Sequence, residues 1–221
     1  MRNDSTETTN RSRAGWPVCD NVARRAITTR YGGLPELWES SPRRFEDNKS
    51  HTEEIIDGLF AGDHLLCCGW SLSHFATRPL KEWRRRLYRM QFVVPSPMLT
   101  CKGLTRAGKL SEHSLQNTGY RRFLVVEFDD GTVDDHASLL LHLATRAPLA
   151  LANHSGGKSL HGWFYCVDQS ETKLRNFMHY AVSLGADSAT WIRSQFVRMP
   201  DGRRPTGTKQ TAFFFNPDII E

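Results

Sequence analysis

The chain has 221 residues, enough for one large domain or two modest ones around a buried core. Hydrophobic residues make up 39% and charged residues 24%, a globular composition, and no apolar run reaches membrane-spanning length, so the expectation is a cytoplasmic protein with no membrane partner. An excess of 29 Lys and Arg over 24 Asp and Glu gives a net charge of +5, which admits a nucleic-acid partner without requiring one. Five cysteines, odd in number and without C-x-x-C spacing, argue against a zinc knuckle and against a secreted disulfide scaffold.

Residues 1–15 are polar and poor in hydrophobes, and read as a disordered tail. Residues 16–110 mix helical and extended patterns and are expected to form an N-terminal α/β module. Within it, "HTEEIIDGLFAG" reads as a helix, and "PLKEWRRRLYRM" as another with Leu80, Trp83, Leu87 and Met90 on one stripe. Arg84, Arg85 and Arg89 fall on the opposite face of that second helix. "QFVVPSPM" reads as a short strand stopped by Pro95 and Pro97.

The pattern is clearer over 111–221. "RFLVVEFD" is a strand, "DDHASLLLHLATR" a helix with acids in its first turn, and "LALAN" a second strand. "HGWFYCV" is a third strand and "ETKLRNFMHYAVSLG" a helix ending at Gly. "SQFVRMP" and "QTAFFFN" add strands joined by the basic loop "DGRRPTGTK". The order β-α-β-β-α-β predicts an α+β fold with a ferredoxin-like, split βαβ sheet, in which the first and third strands are antiparallel neighbours at the centre.

"ANHSGGKS" comes within one residue of a phosphate-gripping P-loop, whose first position is Gly. A P-loop's Lys and Ser open a helix, whereas Lys158 and Ser159 are followed by "LHGWFYCV", which favours a strand. The motif is therefore read as a triphosphate-holding turn outside the P-loop class.

In "VVEFDDG", Glu127 and Asp129 project from the same face of a strand, with Val126 and Phe128 on the other. Two carboxylates within reach repel unless a cation lies between them, and oxygen-rich pairs suit Mg²⁺ or Mn²⁺. Antiparallel pairing of the first and third strands places His161 beside them, and the loop after the second helix returns Asp187 to the same edge. Three acids, a His and a Gly-rich turn at one edge describe a two-metal nucleotidyl-transfer site, with Glu127, Asp129 and Asp187 as catalytic metal ligands. Lys158 and His161 would hold the β- and γ-phosphates, with Ser155 and Ser159 as donors and Arg198 and Lys209 as further phosphate partners. Arg203 and Arg204 lie in the loop between those last two.

These motifs resemble the archaeo-eukaryotic primase superfamily, in particular its primase-polymerase branch of plasmid, phage and CRISPR-associated proteins. The family pattern of a hydrophobic strand with two acids, then Ser-x-His, then a third Asp is similar to "VVEFD", "SLH" and "GAD", in that order. The segment "QFVRMPDGRRPTGTKQ" resembles the stretch after the third Asp, where an Arg and a later Lys reach the triphosphate. Glu127 stands where the family usually has Asp. The resemblance covers roughly residues 60 to 217 and implies an RRM-like catalytic module over 111–221, packed with the N-terminal α/β module. It also implies template-directed synthesis from nucleoside triphosphates on single-stranded or primed DNA, by extension or by priming. A helicase or CRISPR adaptation proteins are the further partners that it implies.

Two other functions account for part of the pattern. An RRM-like single-strand binder without catalysis would stack bases on Trp163 and Tyr165 but leaves Glu127 and Asp129 without a purpose. A rolling-circle nuclease needs His-hydrophobe-His spacing, which the sequence lacks.

Overall fold

The computed structural model describes residues 15–220, so the expected tail lies, except for Gly15, outside the described residues. The fold is mixed α+β, with antiparallel sheets and six α-helices among the described residues. Among the described residues no helix is long and apolar enough to cross a membrane.

Three helices open the chain: α1 (Asn21–Arg30), α2 (Leu34–Glu39) and α3 (Thr52–Leu59). The Asp20 side chain caps α1 by accepting from the amides of Val22 and Ala23. The apolar run around Cys67 and Cys68 becomes strand β1 (Leu65–Ser71), paired with β2 (His74–Pro79). Burial pushes the Cys67 thiol up to about 12, so at neutral pH it behaves as a core side chain.

The helix expected over "PLKEWRRRLYRM" is broken. Only α4 (Leu80–Trp83) and a 3₁₀ turn over Leu87–Arg89 form, because Arg85 adopts a left-handed φ of 63° between them. The Trp83 indole is held 3.0 Å from the Leu66 carbonyl, and Arg84 turns to pair with Asp57. The arginine cluster is thus partly neutralised within the protein.

Strand β3 (Phe92–Val93) pairs with β1, and a small hairpin of β4 (Gly103–Leu104) and β5 (Leu110–Ser111) follows. Then come β6 (Phe123–Glu127), α5 (Val133–Ala144), β7 (Leu149–His154), β8 (Leu160–Tyr165) and α6 (Glu171–Ser183), each where the sequence pattern puts it. Strands β9 (Val197–Arg198) and β10 (Ala212–Phe215) follow, and a 3₁₀ turn over Pro217–Ile219 comes after β10.

The sheet order departs from the ferredoxin-like expectation. The second sheet runs β10-β7-β8-β6, so β6 is an edge strand and β10 pairs with β7. In a split βαβ sheet β6 would sit between the third strand and the last. Here the chain leaving α6 runs along the free edge of β6, bridging Phe128 to Ala186, and then gives β9 to the first sheet. That first sheet runs β2-β1-β3-β9.

Two cores result. Leu124, Val126 and Phe128 face α5 and α6 with Leu139, Leu140 and Met178. Phe123, Val125, Leu151, Trp163 and Phe215 face the other way, packing with Ile55, Leu66, Trp83, Val93 and Val197. The alternation along β6 expected from its sequence is the cause: odd and even residues serve different cores.

Candidate active site

Glu127 ends β6 on the side of Val125, directly opposite His161 on β8, and His161 lies opposite Asn153 on β7. Directly opposed residues share a sheet face, so Glu127, His161 and Asn153 form one row. His161 Nε2 is 3.1 Å from Glu127 Oε1. Burial works to raise the pKa of Glu127, but the contact with His161, the charge of Arg198 and the Ser159 hydroxyl outweigh it and hold the carboxyl below its ordinary range. His161 is only 3% exposed, yet its Nδ1 has no hydrogen-bond partner, and neither does Nδ2 of the wholly buried Asn153. Unpaired buried polar atoms in a row mark a place built for something besides packing.

Asp129 lies just beyond the strand, exposed, with its Oδ1 accepting from the Ser159 hydroxyl at 3.4 Å. Its pKa moves the opposite way: partial burial, then the charges of Glu127 and Asp187, raise it against the pull of Ser159 and Lys158. Asp187 is brought in by backbone pairing, its amide donating to the Glu127 carbonyl at 2.8 Å. Its own carboxylate caps the short 3₁₀ turn Ser188–Trp191 by accepting from the Ala189 amide. Asp129 and Asp187 both border a cavity of about 650 Å³ that also touches Trp16, Arg24 and Arg25.

The three predicted acids therefore converge, although they do not close around a point. Among the described residues no three His, Cys, Asp or Glu side chains form a group that could hold a metal. The reason is local: Glu127 is turned to His161 and Asp187 to the Ala189 amide. The donor chemistry still fits a hard divalent cation, since all three are carboxylates and Asp129 is destabilised as an anion by burial and then by the other two.

The strand expected after Lys158 and Ser159 is present as β8, which removes the P-loop reading. Ser155 and Ser159 close the turn on itself: the Ser155 amide donates to the Ser159 carbonyl, and the Ser159 amide donates to the Ser155 hydroxyl. Lys158 is exposed at its tip. Arg198 is half-buried, its guanidinium 4.6 Å from the Phe92 ring centre. Burial and then the neighbouring Arg204 charge lower its pKa, while Glu127 opposes them.

Lys209 is engaged elsewhere, in an ion pair with buried Asp201 at 2.9 Å and a hydrogen bond to the Lys49 carbonyl. The cation that lies on the Gly-rich turn is Arg204, whose Nε donates to the Ser155 carbonyl at 2.7 Å. A Cβ on Gly157 would stand 3.2 Å from its Nη2. Asn153 is a neighbour of the site that sequence reasoning did not single out, whereas Arg204 was named only as part of the loop between Arg198 and Lys209; the alternation of "LALAN" against "HGWFYCV" was the available signal for Asn153. Compared with family models, with curated proteins and with solved structures, the chain matches none.

Proposed function

We propose that the protein is a nucleotidyltransferase of the primase-polymerase kind, extending a 3′-hydroxyl on a single-stranded or primed DNA template from nucleoside triphosphates. The observation that carries this reading is the meeting of Glu127, Asp129 and Asp187 on one sheet edge, where burial first and then the charges of the other two raise the pKa of Asp129. Such a cluster of anions is relieved by a cation, and Mg²⁺ or Mn²⁺ held there would stabilise charge developing at an α-phosphate. Lys158, Arg198 and Arg204 supply positive charge on the same side, and His161 and Asn153 supply ring and amide nitrogens lacking partners. These groups suit the oxygens of a triphosphate. The single-strand-binding alternative loses its main platform, because Trp163 is fully buried between the sheets.

The test is incorporation of labelled nucleotides on a primed template with Mn²⁺. Wild type is expected to extend the primer, and Glu127→Ala, Asp129→Ala and Asp187→Asn to lose nearly all extension with the fold intact. Wild type that binds DNA but never extends, or variants that extend at near-normal rates, would sink the reading.

A further inference from the structure

Arg24 on α1 reaches across the fold to the two turns that carry the acids. Its Nη2 donates to the carbonyl of Asp130, one residue after Asp129, and its Nη1 lies 3.4 Å from the carbonyl of Leu184, three residues before Asp187. The guanidinium also stands 5.7 Å from the ring centre of Phe128, the residue between Glu127 and Asp129. The slot that it fills is made by two glycines. Gly131 (φ 103°) and Gly185 (φ 97°) both have left-handed backbone, and a Cβ on either would press on the guanidinium, at 2.9 Å from Nη2 in the case of Gly131. The glycines of "DDG" and "GAD" thus leave room for one side chain that touches both segments. α1 is itself anchored there, because the Asp20 amide donates to the Ser183 carbonyl at 2.8 Å.

We propose that Arg24 is the positioning residue of the site, a two-point clamp that holds the Asp129 and Asp187 turns at a fixed separation. A guanidinium is suited to this task because its donors lie in a rigid planar fork, which a lysine ammonium lacks. The proposal rests on the nucleotidyl-transfer reading for its purpose, and on the contacts alone for its existence. It also makes a prediction of sign. If Arg24 acted only as a nearby positive charge, its removal would tighten cation binding at the acids. If it positions the ligands, its removal weakens that binding.

The experiment compares Arg24→Met with Arg25→Met, which removes a cation bordering the same cavity. Amide hydrogen exchange is followed by mass spectrometry, and Mn²⁺ binding by the electron paramagnetic resonance of the free ion. In Arg24→Met, peptides covering 129–131 and 184–187 are expected to lose protection together, and Mn²⁺ affinity to fall about tenfold. In Arg25→Met both regions stay protected, and affinity is unchanged or rises. Should Arg24→Met not fold, Arg24→Lys is expected to show the same changes in smaller measure. Unchanged exchange in either turn overturns the clamp, and unchanged or tighter Mn²⁺ binding with loosened turns overturns its positioning role. If wild type binds no Mn²⁺ while the turns loosen as expected, the clamp stands as a structural device and the nucleotidyl-transfer reading falls.

Discussion

Asp129 and Glu127 sit two residues apart, yet the protein shifts their protons in opposite directions. The raised pKa of Asp129 means that the folded state holds its proton more tightly than the unfolded chain does. Its charge therefore costs stability once pH rises above the carboxylate range, and costs nothing well below it. Asp129→Asn is accordingly expected to raise the melting temperature at neutral pH in metal-free buffer, with the gain vanishing in acid. Glu127 is the reverse: its stabilisation is present above its ordinary pKa and is lost as pH falls through its lowered folded value. Glu127→Gln is expected to cost on the order of 1.5 kcal/mol at neutral pH, the scale of a hydrogen bond to a charged group. Melting curves across pH check both, and shifts of the same sign in the two variants would refute the account. The position of Glu127 beside His161 was legible from alternation and antiparallel pairing. That Arg204 lies on the Gly-rich turn while Lys209 pairs elsewhere was not, because a loop's path depends on which cations its neighbours neutralise, here Lys209 by buried Asp201.

Elements show the same division between local and non-local information. Strands β6, β7 and β8 were readable as short apolar runs buried between the two cores, and helices α5 and α6 by a helical period that faces the first core alone. The helix expected after Pro79 failed at Arg85, where pairing of Arg84 with Asp57 and anchoring of Trp83 on β1 outweigh helix propensity. Sheet order was not readable, since no local pattern says that the chain after α6 runs beside β6 and then joins β3. The packing of α5 on β8 can be tested at Gly162. A Cβ there would collide with Leu140, a fully buried side chain of α5. Gly162→Ala is expected to destabilise by about 1–3 kcal/mol, the usual cost of overfilling a dense core. Urea denaturation midpoints measure it. A neutral result would mean that α5 stands further from the sheet.

Across the whole molecule, the boundary expected near residue 110 separates sequence patterns, but the cores do not follow it. Strand β9 belongs by sequence to the later half and by pairing to the first sheet, through Phe92–Arg198 and Val93–Val197. Phe123, Val125, Leu151, Trp163 and Phe215 present one face of the second sheet to side chains of α3, β1, α4 and β3. Separating residues 111–221 would expose that face to water. At roughly 1.5–3 kcal/mol for each large apolar side chain uncovered, the loss is roughly 10 kcal/mol. That is comparable with the entire stability of a typical domain, about 5–15 kcal/mol. The isolated fragment is therefore expected to melt without cooperativity and to give poorly dispersed amide resonances, although it holds all three acids and His161. Coexpression with residues 1–110 should recover a cooperative transition, because the missing side of the core is restored and β9 regains β3. Arg24 makes the dependence functional as well, since the clamp on the Asp129 and Asp187 turns is supplied by the first half. A fragment of 111–221 that melts cooperatively alone and binds Mn²⁺ as the full chain does would show that the site is built within the second half and owes nothing to the first.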